Sequence, residues 1–205
     1  MEARSALAVA APAAPAGLRI GLMGGSFNPP HSGHVAVARA AMRRLALDRL
    51  WLLVSPGNPL KSHHELARLD DRVAALQRLL PDRRMIASDL EARLGTRYTV
   101  DTLAALRRRF PSTRFVWVMG ADGFAEMHCW RNWRDIAALA PIAVVDRPGW
   151  RFKALSSPVA RTMARRRLDE RLARRLPCAK PPAWTFLSTR LNPQSSTSIR
   201  RLRTT

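Results

Sequence analysis

Six short apolar runs punctuate the chain: Leu18 to Met23, Leu50 to Val54, Met85 to Ala87, Phe115 to Met119, Ile142 to Val145 and Trp184 to Leu187. Between them the apolar positions recur at helical spacing, as in Val35, Ala38, Met42 and Leu45. Continuous apolar runs of strand length are what a sheet covered on both faces requires, while spacings of three and four mark helices that bury one stripe. The same pattern predicts helices opened by Asp70 or Asp71 and ending at Leu80, from Thr99 to Arg109, from Trp133 to Leu139, from Val159 to Leu176, and from Ser198 onward.

Strands alternating with helices predict an α/β domain built on a single doubly wound, mostly parallel sheet, Rossmann-like in its alternation. A chain of 205 residues accommodates this as one domain over residues 18–205. Residues 1–17, rich in Ala and Pro, read as a disordered leader: Glu2 and Arg4 make a poor signal-peptide start, and Pro12 and Pro15 interrupt the apolar run. No run reaches the length of a membrane span, so a soluble, cytoplasmic protein is expected. In doubly wound sheets ligands bind beyond the carboxyl ends of the strands. The loops that follow strands are therefore where chemistry is sought.

Charge changes the picture less than its size suggests. The formal net charge is +20, carried almost wholly by arginine, with Lys61, Lys153 and Lys180 the only lysines. It is spread over most of the expected helices and forms no single stripe or tail, so it reads as solvated helix faces with a general pull on anions. A basic nucleic-acid-binding protein is the alternative from a different class, and no binding-module signature accompanies it. Cys129 and Cys178 are far apart and lack zinc-site spacing, which fits a reducing compartment.

The loop after the first strand reads Gly24-Gly25-Ser26-Phe27-Asn28-Pro29-Pro30-His31-Ser32-Gly33-His34. Gly24 and Gly25 leave backbone accessible to a nucleotide, Ser32 is placed to cap the following helix, and that helix start offers amide donors to phosphate. His31 and His34 stand three residues apart across the helix start, with Gly33 between them, so both imidazoles can donate to one anion. Near the other end, Ser195-Ser196-Thr197-Ser198-Ile199-Arg200 bunches hydroxyls before a helix and sets a guanidinium in its first turn. Lys61, in the loop after the second strand, is a further candidate for the triphosphate. A terminal helix this short is marginal unless packed, so Arg200 depends on what it docks against.

The first string matches GxFxPxHxGH, and the segment resembles the bacterial nicotinate-nucleotide adenylyltransferase family, with Asn28 where Asp is usual. The second resembles that family's SSTxIR phosphate motif. Tyr98-Thr99-Val100-Asp101-Thr102 is similar to its YTxxT helix start, Gly120-Ala121-Asp122 to its GxD strand end, and Arg147-Pro148-Gly149 to its RPG turn. Trp130 falls at the family's spacing for an aromatic against the pyridine ring.

The resemblance implies adenylyl transfer from ATP to nicotinate mononucleotide, giving deamido-NAD and pyrophosphate. His31, His34 and Arg200 would carry the catalysis. Gly24, Gly25, Ser26, Phe27, Gly33, Lys61, Ser195, Ser196 and Thr197 would surround ATP, and Thr99, Asp122, Trp130 and Arg147 the pyridine nucleotide. Magnesium would arrive with ATP and not in a dedicated protein site. Nicotinamide mononucleotide or pantetheine phosphate is the alternative acceptor; neither nucleic acid nor membrane is expected as a partner, and the oligomeric state is not legible.

Overall fold

The computed structural model describes residues 12–57 and 66–203. The elements run β1 (Arg19–Gly25), α1 (Ser32–Arg44), β2 (Arg49–Val54), α2 (Leu69–Leu79), β3 (Met85–Ser88), α3 (Leu90–Arg93), α4 (Thr99–Arg109), β4 (Arg114–Gly120), α5 (Ala121–Glu126), α6 (Trp133–Leu139), β5 (Ile142–Val145), α7 (Arg151–Leu155), α8 (Pro158–Thr162), β6 (Trp184–Leu187) and α9 (Ser196–Arg203). All six strands are parallel, in the order β3-β2-β1-β4-β5-β6. The order reverses between β1 and β4, and in doubly wound sheets ligands bind beyond the carboxyl ends of the strands at such a switch point.

Alternate strand residues feed two cores. Ile20, Leu22, Trp51, Leu53, Phe115, Trp117, Ile142, Val144, Trp184 and Phe186 face one layer with α4 to α8, while Leu50, Leu52, Val54, Val116, Val118, Ala143 and Val145 face the layer holding α1 and α2. Burial on both faces is why these strands read as unbroken apolar runs. No described helix is long and apolar enough to cross a membrane. Of the expected leader, residues 12–17 lie within the description and touch the body: Gly17 N–H donates to the Ser112 carbonyl at 2.9 Å, and Thr113 Oγ1 donates to the Ala14 carbonyl at 3.2 Å.

Three expectations about helices need correction. The helix expected from Val159 to Leu176 is broken into α8 and two 3-10 segments, Ala164–Arg166 and Glu170–Cys178. The break has a tertiary cause: Leu168 N–H donates to the Trp184 carbonyl at 2.7 Å and Thr185 Oγ1 donates to the Leu168 carbonyl at 3.0 Å, so β6 draws this backbone alongside itself. α2 starts at Leu69 with Arg68 at its cap, leaving Asp70 and Asp71 in the first turn, where they complement the helix dipole without capping. α9 begins at Ser196, two residues before the expected Ser198.

Candidate active site

β1 extends through both glycines, with Gly24 paired to Leu53 and Gly25 to Val54. Aromatic rings stand where their side chains would be. A Cβ on Gly24 would lie 2.8 Å from the Trp117 ring, and one on Gly25 would lie 3.1 Å from the Phe27 ring. Phe27 is itself buried and meets His34 edge-on at 4.8 Å, so its ring positions the imidazole and is not exposed to ligand. The Ser26 carbonyl accepts from Arg72 Nη1 at 2.8 Å. Arg72 is almost fully buried and also donates to the carbonyls of Ser55 at 2.8 Å and Ala67 at 2.8 Å, fastening the β1 and β2 loops together. In sequence it looked like any solvated helix arginine; nothing local marks it.

The cap of α1 is His31, not Ser32. His31 Nδ1 accepts from Gly33 N–H at 3.1 Å, and His34 Nδ1 accepts from His31 N–H at 3.3 Å, a reciprocal capping box made of two imidazoles. Because each Nδ1 is an acceptor, the ring proton of each neutral imidazole must sit on Nε2. The rings stand 3.8 Å apart. Burial, with Arg147 adding its positive charge, lowers the His31 pKa to about 4, against a smaller upward pull from Asp122. Burial, then His31 and Arg147, lowers His34 to about 3. At neutral pH the pair is therefore two uncharged N–H donors, a form suited to polarising phosphoryl oxygens without giving up a proton.

The remote C-terminal segment lies directly on this helix start. Arg200 Nη1 donates to the Asn28 carbonyl at 2.6 Å and Ser196 Oγ to the Pro29 carbonyl at 3.0 Å. Ser195 and Ser198 cap α9 between themselves, with Ser198 N–H donating to Ser195 Oγ at 3.2 Å. Thr197 is exposed on the same turn. Ser32, relieved of capping, donates through N–H and Oγ to Gln194 Oε1 at 3.1 and 2.7 Å. A Cβ on Gly33 would lie 2.8 Å from the Gln194 carbonyl oxygen and 2.9 Å from Arg147 Nη1, so this glycine is required by the close approach of both segments.

Arg147, at the carboxyl end of β5, reaches Asp122 at 3.9 Å and the Gln194 carbonyl at 3.3 Å. Asp122 stands in the first turn of α5, and Gly120 is bare because a Cβ there would lie 2.3 Å from its carboxylate. Trp130 is half-buried and packs T-shaped on Trp117 at 6.5 Å, the same indole that covers Gly24. Thr99 opens α4 with no side-chain cap on the helix amides. Arg131, beside Trp130, lies 4.6 Å over the Tyr98 ring and ties that helix start to the Trp130 turn. Behind it, buried Glu91 accepts from Thr102 Oγ1 at 3.3 Å; burial pushes its carboxyl up to about 7, with that hydrogen bond pulling the other way.

Lys61 lies outside the described residues. Among the described residues no group of three or more His, Cys, Asp or Glu could hold a metal ion. A cavity of about 290 Å³ lined by Arg107, Arg114 and Cys178 sits at the opposite, amino end of β4 and takes no part in this site.

A parallel sheet in this order, with the C-terminal segment docked on the loop and helix start that follow β1, has the architecture of an α/β nucleotidyltransferase. The family model for cytidylyltransferase-like proteins matches residues 22–202. A probable nicotinate-nucleotide adenylyltransferase of Parvibaculum lavamentivorans is 53% identical over 184 residues, covering 90% of this chain and 92% of that protein. Another, from Agrobacterium fabrum, is 50% identical over 181 residues, covering 88% and 97%. In fold, the Plasmodium falciparum nicotinic acid mononucleotide adenylyltransferase complexed with NaAD superimposes with a TM-score of 0.67 at 15% identity, over 90% of this chain and 83% of that one. The chain belongs to the cytidylyltransferase-like family and, within it, to the nicotinate-nucleotide adenylyltransferases.

Proposed function

We propose that the protein transfers the adenylyl group of ATP to nicotinate mononucleotide, forming deamido-NAD and pyrophosphate for NAD biosynthesis in the cytoplasm. A phosphate oxygen of the mononucleotide attacks the α-phosphorus, a new P–O bond forms, and the bond to the bridging oxygen of the β-phosphate breaks, its electrons leaving with pyrophosphate. The nucleophile is already anionic, so alignment and charge stabilisation are what the protein supplies, and no general base or covalent intermediate is needed.

One observation supports this most: Arg200 and the hydroxyl cluster meet the His31 and His34 helix start across the switch point. In this reading the two Nε2–H groups donate to the α-phosphoryl oxygens, and Arg200 with Ser195, Ser196 and Thr197 holds the departing phosphates. Lys61 adds positive charge for the triphosphate. ATP would carry magnesium with it, whose charge would offset part of the triphosphate's. Gly24, Gly25, Ser26 and Phe27 shape the floor beneath the nucleotide through backbone and packing. Thr99, Asp122, Trp130 and Arg147 receive the pyridine nucleotide, with Trp130 stacking on the ring.

The test is pyrophosphate release from ATP with nicotinate mononucleotide, nicotinamide mononucleotide and pantetheine phosphate supplied in turn. Turnover fastest with the first is expected. Preference for either of the others reassigns the acceptor, and no release with any of them removes the enzymatic reading.

A further inference from the structure

The chain beyond β6 has an unusual attachment. Of the apolar side chains described in it, none belongs to either hydrophobic core, and Leu191 is about half exposed. Polar contacts hold the hydroxyl-and-guanidinium cluster over α1: Ser196 and Arg200 donate to the Pro29 and Asn28 carbonyls.

A second set of contacts, on the segment leading into α9, centres on Gln194. Its Oε1 accepts both the N–H and the Oγ of Ser32, at 3.1 and 2.7 Å. Its N–H donates to Asn192 Oδ1 at 3.0 Å, while Asn192 Nδ2 donates to that same Ser32 Oγ at 2.9 Å, closing a ring of three residues. Its carbonyl accepts from Arg147 Nη2 at 3.3 Å. One residue thus joins the start of α1, the β5 loop and the segment leading into α9. The Ser32 hydroxyl is used both as donor and as acceptor, so the ring fixes the register of segment against helix as well as their proximity.

We infer that Gln194, received by Ser32, is a positioning residue that orders the C-terminal phosphate cluster over the α1 start before ATP arrives. The inference rests on the function proposed above for its kinetic consequence, though not for its structural one. If only a fraction of molecules hold the cluster in place, apparent ATP affinity falls by that fraction, while turnover at saturating ATP is spared because the ligand restores the arrangement.

The experiment combines amide hydrogen exchange on the nucleotide-free full chain with steady-state kinetics. Gln194→Ala should speed exchange across residues 196–203 by about tenfold and raise the KM for ATP by roughly five- to tenfold, with kcat and the mononucleotide KM changed less than about twofold. Gln194→Glu keeps the acceptor oxygen and should retain wild-type exchange. Ser32→Ala should add less on top of Gln194→Ala than it costs alone, since the Ser32 Oγ–Gln194 Oε1 bond is shared by both changes while the Asn192 bond to Ser32 is not. Unchanged exchange in Gln194→Ala, a fall in kcat without a KM change, or additive effects with Ser32→Ala would each overturn the inference. A wild-type chain with no turnover refutes the proposed function, while the exchange result still decides the latch.

Discussion

The two halves of the site are built on opposite physical plans. The α1 half stands on the central strand of the sheet: Phe27 and His31 are buried, α1 contributes Val37, Ala38, Ala41 and Met42 to the core, and Arg72 satisfies the carbonyls behind the loop. Of the C-terminal half, none of the side chains whose burial is described lies in either core, and hydrogen bonds join it to the α1 start. A polar attachment of exposed groups contributes little net free energy, on the order of 1 kcal/mol per bond, whereas burial of α1 is worth several times that. Such a division suits a reaction in which phosphates must enter and pyrophosphate must leave: one wall is fixed, and the other is held weakly enough to be reset by the ligand.

The comparison breaks most visibly at His34. Replacing it with Ala should cut kcat about 10²- to 10³-fold, the loss seen when one donor to a developing oxyanion is removed, while the lost capping-box acceptor lowers stability by only about 1 kcal/mol. If kcat holds, the rigid wall is only scaffolding. Next comes Arg72, whose change to Met strips donors from three loop carbonyls in a buried setting. Unfolding in denaturant should show a loss on the order of 2–4 kcal/mol. A loss below about 0.5 kcal/mol, the scale of an ordinary surface change, would mean that the loops support themselves.

The smallest effect is a difference in pH dependence. Both imidazoles have folded pKa values, about 4 and about 3, below the ordinary 6.5. The stability they contribute is present above pH 6.5 and is lost as pH falls towards those values, because the unfolded chain binds the protons first. Glu91, raised to about 7, runs the other way: its contribution is complete below about pH 4.5 and declines as pH rises through 7. Comparing wild type with His34→Ala cancels Glu91. Between pH 7.5 and pH 5 the wild type should lose on the order of 1–2 kcal/mol more than the variant in denaturant melts. Equal losses would show that His34 is protonated as readily in the fold as out of it.

Much of this was legible beforehand because it is local. Each apolar run became a strand, since a run of that length without helical periodicity buries both faces only in a covered sheet. The phosphate loop and the Ser195 to Arg200 cluster were recognisable as strings of residue types. Two features misled. The Val159 to Leu176 stretch has helical periodicity, but residues 167 and 168 gain more by hydrogen bonding to β6 than by continuing a helix. Ser32 is a better capping residue than histidine by propensity, yet its hydroxyl is claimed by Gln194, 162 positions away, and His31 takes the cap. Arg72, Gln194 and Glu91 carried no local signal, because each acts through partners from other elements.

By itself the sequence determined the strand and helix alternation and the residue types able to grip phosphate, since periodicity and chemistry are properties of neighbouring positions. The tertiary structure alone decided that the order reverses between β1 and β4, that residues 28 and 200 meet, and that two imidazoles are kept uncharged. Those depend on what packs against a side chain, and burial and proximity exist only once distant parts of the chain share one space.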